Sequence, residues 1–510
     1  MRVMKVTKAK PVSIIHVAAF KTLTALLLSL FMLPTPMLRA DELPVEHFTQ
    51  FAKFSGAKIS PGGEFLSVSV MVGRETQVVV LDRKTMQPIH RHRFQQEKAS
   101  VAGHWWVSDK RLVFGLETFV PTEQEAPLRN VMLYGVDYNG KREDVLASPY
   151  CRKCDLWGAE LIDPLVDEKN YVLVLSYTLS GSRQKVARMN VRNGSISKSV
   201  SVPPRTQQIV LDKNKRPRFA VSGNDAGDRL VHYRAVKEVE WSKVGQYPYP
   251  GGWIRPVGFN SDESKALVLD SRDGGTEAVG FADLRLQTVE YLYRDAMTDI
   301  TGYDIDESDQ IYAASTGIGK PRRTILDPDH PRVAALQRLE ASFPEEAVRI
   351  VSSTRDGKLH LVGTYSDKNA GTYYLYDQSA GELKYLLARR PWIKEADGYA
   401  TTDFIFEARD GLQITGLLTM PELVGDAKAP LVVIPHGGPH GPYDRWGWDW
   451  EVQFLASRGY AVVQVNFRGS GMHGADFEKA GFREWGRKIQ YDIIDGARYV
   501  VANFPIDGAR

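Results

Sequence analysis

Along most of the chain a compact polar turn is followed by a short strand-like run of alternating apolar and polar positions, and the unit recurs. Ser-Pro-Gly-Gly-Glu-Phe-Leu-Ser-Val begins at Ser60, and Ser-Asp-Lys-Arg-Leu-Val-Phe begins at Ser108. Comparable turns stand at Asp167 (Asp-Glu-Lys-Asn-Tyr-Val-Leu-Val), Lys213, Ser261 (Ser-Asp-Glu-Ser-Lys-Ala-Leu-Val), Asp306 and Arg355 (Arg-Asp-Gly-Lys-Leu-His-Leu-Val). The steps between them are about 45 to 60 residues, the length of a four-stranded propeller blade. A later strand closing on a second turn follows in several units, as at 78–82, 136–140 and 373–377. The count of seven predicts a seven-bladed β-propeller over residues 41–393. One small sheet cannot bury both of its faces, whereas a closed ring of sheets covers every face. The period is too long for a β-helix, and the region too long for one sandwich.

From about Lys394 the pattern changes to strands alternating with helices, which predicts an α/β domain. Residues 402–409 and 413–420 flank Asp410-Gly411, a hairpin turn pair. Residues 430–435 (Pro-Leu-Val-Val-Ile-Pro) form an unbroken apolar run, expected of a parallel strand buried on both faces. Residues 450–458 read as a helix ended by Gly459, and 460–465 as the next buried strand. Ile489, Ile493, Ala497, Val500 and Val501 then share one face of a further helix.

Composition narrows the function classes. With 65 Lys plus Arg against 62 Asp plus Glu, the net charge of +3 gives no field that would favour nucleic acid or an anionic membrane. Aromatics at 10%, 22 of them Tyr, suit a strand-rich chain. At the N-terminus Arg2, Lys5, Lys8, Lys10 and Lys21 precede the apolar run 23–33, followed by Pro34, Pro36 and Ala40. This is the order of a secretory signal over residues 1–40, cleaved near Ala40, with export to the periplasm or medium. The run is much shorter than the roughly 20 residues of a membrane span, so no stable span is expected. Cys151 and Cys154, the two cysteines, lie in a polar loop. They read as a local disulfide or two free thiols rather than a redox helix or zinc site. No metal or cofactor motif is present.

Two glycine-rich motifs sit on the α/β frame. His436-Gly-Gly-Pro-His-Gly441 directly follows the apolar strand, where a glycine turn lets backbone N–H groups approach a substrate oxygen. A ligand-free tight turn is the competing reading. Asn466-Phe-Arg-Gly-Ser-Gly471 follows the next strand and, with Gly474, satisfies Gly-x-Gly-x-x-Gly. A dinucleotide site also needs an acid at the end of a second strand; Asp492 and Asp495 have the spacing but fall in the helical stretch, so the match is accidental. Arg468 reads more as an ion-pair partner than a catalytic group.

A propeller followed by an α/β domain bearing His-Gly-Gly-Pro and Asn-Phe-Arg-Gly-Ser resembles the prolyl oligopeptidase family of serine peptidases, with its acylaminoacyl-peptidase and dipeptidyl-peptidase branches nearest. The resemblance implies an α/β-hydrolase domain begun at residue 394 and incomplete at 510. It implies hydrolysis of oligopeptides by a Ser-His-Asp acyl-enzyme mechanism under a propeller lid, without cofactor. It also implies an oxyanion hole using Gly437 or Gly438, and substrate-proximal places for His436 and Arg468. Prolyl oligopeptidases proper carry tyrosine where His436 stands, which favours a backbone donor over a phenolic one. The nucleophile of this fold stands in Gly-x-Ser-x-Gly, and no such motif occurs in the 510 residues. The run 505–510 reads as the loop entering the missing strand. None of the triad is therefore expected in this chain, which as given should be an inactive fragment. An exported propeller scaffold with a vestigial hydrolase, and an esterase of the same fold, are the alternatives.

Overall fold

The computed structural model describes residues 42–510 except 74, 95–98, 121–127, 149–157, 169, 178–182 and 307–309. The leader at 1–40 and the Cys151/Cys154 pair lie outside the described residues.

Seven antiparallel sheets follow one another, each built from consecutive strands: blades 1 to 7 span residues 54–92, 99–147, 158–202, 206–247, 254–294, 302–325 and 347–388. Every predicted turn from Ser60 to Arg355 joins the first and second strands of one blade. The second strands of blades 2, 3 and 5 are apolar on both sides rather than alternating, because a neighbouring blade covers each face. In blade 3, Val172 and Val174 pack towards blade 2 while Leu173 and Leu175 pack towards blade 4. Blade 5 repeats this: Ala266 and Val268 face blade 4, and Leu267 and Leu269 face blade 6.

Blade 6 has three strands among the described residues, and the helix Val333–Ser342 stands beside it. One side of that helix packs Val333 and Leu336 on Tyr312 and Ala313, and the other packs Ala335 and Leu339 on Val348, Val362 and Tyr376 of blade 7. Blades 1 and 7 meet through Ala57, Val68, Leu361 and Leu387, so side-chain packing rather than a shared sheet joins the two ends of the ring.

The remaining sheet mixes directions. Strands β1 (Thr401–Glu407), β2 (Gln413–Thr419), β3 (Ala429–Val433), β4 (Ala461–Asn466) and β5 (Ile506–Asp507) take the order β1-β2-β4-β3-β5. The first three in that order pair antiparallel; β3 runs parallel to both β4 and β5. Helix α1 (Trp450–Ser457) is capped by Asp449, whose carboxylate accepts from the N–H groups of Glu451 and Val452. After α1, Gly459 takes the left-handed conformation. Helices α2 (Ala475–Ala480) and α3 (Lys488–Asn503) follow. Ile489 and Val500 of α3 pack on Phe406, Val463 and Val465, and Gly496 permits the approach: a Cβ there would lie 2.7 Å from Val465.

The expected burial of 430–435 on both faces is corrected: Leu431–Ile434 are half-buried. Strand β3 pairs with β4 over three residues and with β5 over two, so its neighbours cover only part of it.

The mixed sheet sits on one rim of the propeller. Trp446 N–H donates to Ile318 O, Asp476 N–H to Gly274 O, Asp299 N–H to Met472 O, and the Gln453 amide to Asp367 O. Ile318, Gly274 and Asp367 lie between second and third strands, and Asp299 lies between blades 5 and 6. In an antiparallel blade these connections share the rim opposite the first-to-second turns.

Candidate active site

Two turns leave the C-terminal ends of the parallel neighbours β3 and β4, side by side: 436–441 and 466–471. In open α/β sheets this is where ligands bind. Glycine lets the turns touch. A Cβ on Gly471 would lie 2.3 Å from the Gly441 carbonyl oxygen, and Gly471 N–H donates to Pro442 O at 3.2 Å. Gly469, at φ +98°, lies against the His440 ring, which stacks on Phe482 at 3.9 Å. The glycines matching the dinucleotide pattern thus serve turn-on-turn packing.

His436 ties the pair together. Its ring stacks on Phe467 at 4.3 Å, its Nε2 lies 2.7 Å from Ser470 Oγ, and its Nδ1 lies 2.8 Å from Gly437 O. Burial lowers the His436 pKa, which keeps the ring neutral near pH 7. A carbonyl only accepts, so the ring proton sits on Nδ1 and Nε2 accepts from Ser470. Ser470 Oγ also lies 2.7 Å from Phe467 O, giving its one proton two acceptors.

A serine hydroxyl at this distance from an imidazole has the spacing of an activated nucleophile. Ser470 nevertheless has no exposed surface, so no carbonyl carbon can reach its oxygen. The pair is an internal brace. Its consequence falls on the next peptide, because in a trans peptide the N–H points opposite to the C=O. With Gly437 O held on the imidazole, Gly438 N–H is turned away from the ring. Gly437 and Gly438 are exposed, and their N–H groups have no acceptor among the described residues.

Arg468 is 4% exposed and pairs with two carboxylates. Its guanidinium donates to Asp492 at 2.7 and 2.8 Å and to Asp410 at 2.8 Å, and its own N–H donates to Asp492. Bonds to Asp492 and then Asp410 raise the Arg468 pKa, and Arg468 holds the Asp410 carboxyl well below the usual range. The arginine pins the start of the 466–471 turn to α3 and to the β1–β2 hairpin. It is an ion-pair partner of buried Asp492 and of exposed Asp410.

Several groups at this end were not singled out from the sequence. His473, held by Thr415 at 2.6 Å and by Gly471 O at 2.7 Å, is buried and pushed down to about 4. Asp444 exchanges backbone–side-chain bonds with Asn466, and burial, with Asp449 next, pushes its carboxyl up to about 7. Asp299, on the propeller rim, is pushed up to about 6 by burial and then by Glu277. Tyr249 of the propeller donates to Glu478 at 2.8 Å. These residues come from separate stretches of chain, and only His473, inside the glycine-rich run, had a local signal. Among the described residues no group of three or more His, Cys, Asp or Glu side chains could hold a metal ion.

Known proteins share parts of this sequence and its fold. Residues 446–510 match the model of the prolyl oligopeptidase family. The chain is 32% identical over 270 residues to dipeptidyl aminopeptidase BIII of Pseudoxanthomonas mexicana, covering 51% of this chain and 39% of that protein. It is 29% identical over 286 residues to dipeptidyl peptidase family member 6 of Caenorhabditis elegans, covering 52% and 36%. The matched stretches are thus well under half the length of these relatives. Among solved structures, a puromycin-hydrolysing peptidase of Mycobacterium tuberculosis superposes with a TM-score of 0.62 at 16% identity, over 91% of this chain and 74% of that one. The acylaminoacyl peptidase of Pyrococcus horikoshii does so with a TM-score of 0.57 at 15% identity, over 91% and 73%. At such identities the likeness is one of fold: a propeller joined to an α/β-hydrolase.

Proposed function

We propose that this chain, whose residues 446–510 match the prolyl oligopeptidase family, forms the propeller and the oxyanion-binding half of an exported serine peptidase acting on oligopeptides. The observation that carries the reading is the exposed 437–438 turn at the end of a parallel strand, with free N–H groups and a bracing histidine behind it.

In acyl transfer a serine attacks the peptide carbonyl, and negative charge gathers on its oxygen. Donors already aimed at that oxygen stabilise the charge without reorganising, and removing one costs about 3 kcal/mol of transition-state stabilisation. Gly438 N–H is the donor best placed for this, with Gly437 beside it. His436 acts as a positioning residue through the Gly437 carbonyl, and Arg468 through the 466–471 turn. The serine, histidine and aspartate of the triad have no counterpart in the required motif context within the 510 residues, so this chain by itself is inactive. The propeller rim, bonded to the neighbouring Trp446 and Asp476, limits access to short, flexible peptides. The basic and apolar leader at 1–40 supports export.

The test is hydrolysis of a chromogenic aminoacyl peptide by the purified 510-residue chain. No turnover is expected. Turnover that disappears in Ser470→Ala would make the buried serine the nucleophile and overturn the reading.

A further inference from the structure

Between blade 7 and the loop that follows the oxyanion turn lies a cavity of about 370 Å³. Its walls include Arg349 and Arg389 from the propeller, Arg445 from the loop, and the aromatic rings of Tyr365, Trp446 and Trp448. No Asp or Glu lines it. Arg389 is half-buried, and Arg349 and Arg445 stand exposed at the cavity's mouth; elsewhere Arg111 meets Asp137 and Asp144, Arg218 meets Asp212, Arg323 meets Asp304, and Arg468 meets Asp410 and Asp492. Arg349, Arg389 and Arg445 form no salt bridge among the described residues.

The arrangement is built. The stem of Arg389 lies over Gly371, where a Cβ would come within 2.5 Å of Arg389 Cδ, and the Arg389 N–H donates to Gly371 O at 2.7 Å. The Arg389 Nε is buried without an acceptor. A buried donor left unpaired costs free energy that a bound acceptor recovers. Trp446 is fixed by its bond to Ile318 O and by packing with Ala347 and Leu417, so the loop carrying Arg445 is anchored on the propeller. Arg349, Tyr365, Arg445 and Trp446 also line the adjoining cavity under blades 6 and 7, which continues the cleft along the rim.

We propose that this cavity recognises a carboxylate of a bound peptide, the guanidinium groups of Arg349, Arg389 and Arg445 taking the anion while the rings of Tyr365, Trp446 and Trp448 pack the neighbouring residue. Guanidinium groups match carboxylates through paired N–H donors, and the volume admits one or two residues. The site rests on the peptidase reading for the kind of ligand, and on its own geometry for the charge. The carboxylate comes either from the peptide's C-terminus or from an acidic side chain.

The experiment measures binding of hydrolysis-resistant N-methylated tetraalanine by titration calorimetry to the purified protein. Three peptides are used: the free acid, its C-terminal amide, and an amide with one Ala replaced by Glu. Inorganic phosphate is the fourth ligand. The free acid, the Glu-containing amide, or both should bind at least tenfold more tightly than the plain amide, and which of them does so identifies the source of the carboxylate. The preference should fall with added salt and vanish in the Arg349→Gln/Arg389→Gln double variant. Equal affinities, or a preference that survives the double substitution, would overturn the proposal while leaving the peptidase reading intact. Arginine-dependent phosphate binding with no binding of any peptide would overturn the proposal and count against the peptidase reading too. Near-ultraviolet circular dichroism of the double variant checks that it is folded.

Discussion

The propeller and the mixed sheet bury similar apolar side chains by opposite routes. In each blade a strand pairs with its neighbour in sequence, and the blade's two faces are then covered by the next sheets in the ring. In the C-terminal sheet the important pairings are distant, β2 with β4 and β3 with β5, and helices cover the faces. Repetition gives the propeller its stability without chemistry. Parallel strands, by contrast, end together, and their turns can crowd one spot with N–H groups and side chains. The two regions therefore use the same residue types differently, and this difference can be tested.

The largest effect is expected from removing a buried cation. Arg468→Met leaves the fully buried side chain of Asp492 without its partner, which should cost about 3–5 kcal/mol. Hydrogen exchange should quicken in β4 and α3 and stay unchanged in blades 2 and 3. Arg111→Met should do the converse, since Arg111 binds Asp137 and Asp144 of blade 2 and Val191 O of blade 3. Loosening of the whole molecule by either variant would show that the regions are one cooperative unit.

A glycine pair sharpens the contrast. Gly357 sits in a blade turn at φ +65° with nothing within 4 Å of a Cβ, so Gly357→Ala meets only backbone strain of about 1 kcal/mol. Gly471→Ala drives a methyl against the Gly441 carbonyl and should cost about 2–3 kcal/mol. A crystal structure of the second variant should show the 436–441 turn displaced, and an unmoved turn would refute the bracing argument.

The smallest effect is in pH, and it has opposite signs in the two regions. In the propeller His92 and His104, held near pKa 3 chiefly by burial, take up protons more readily in the unfolded chain. Their contribution is therefore complete above pH 6.5 and is lost as pH falls towards 3. Asp444, at about 7, binds its proton more readily when folded, so it favours the fold below about pH 4 and loses that advantage as pH rises to 7. His473 opposes Asp444 between pH 4 and 6.5, which flattens the net profile. Asp444→Asn should raise stability at pH 8 by about 1–2 kcal/mol, allowing for partial exposure, and have little effect at pH 4. Denaturant melts at the two pH values decide it; an equal effect at both would remove the charge from the explanation.

The blades were readable in the sequence because each repeats the same turn before its second strand. What misled was the expectation of alternation, since a strand covered on both faces, such as Tyr171–Tyr177, has no polar side. The order of strands and helices after residue 394 was equally plain, and Gly437, Gly438, His436 and Arg468 all lie at the two turns. The Ser470–His436 brace was not legible, because it depends on two strands lying side by side. The arginine-lined cavity was hidden for the same reason: Arg349, Arg389 and Arg445 are dispersed in the chain and converge only when blade 7 meets the 445–448 loop.

The account turns on where the reactive serine is. Treating the protein expressed from its own gene with a fluorophosphonate and mapping the adduct by mass spectrometry addresses that directly. The adduct should fall on a serine set between glycines as Gly-x-Ser-x-Gly, with Ser470 unmodified. An adduct on Ser470 would contradict the account, since it would turn the brace behind the glycine turn into the catalytic centre.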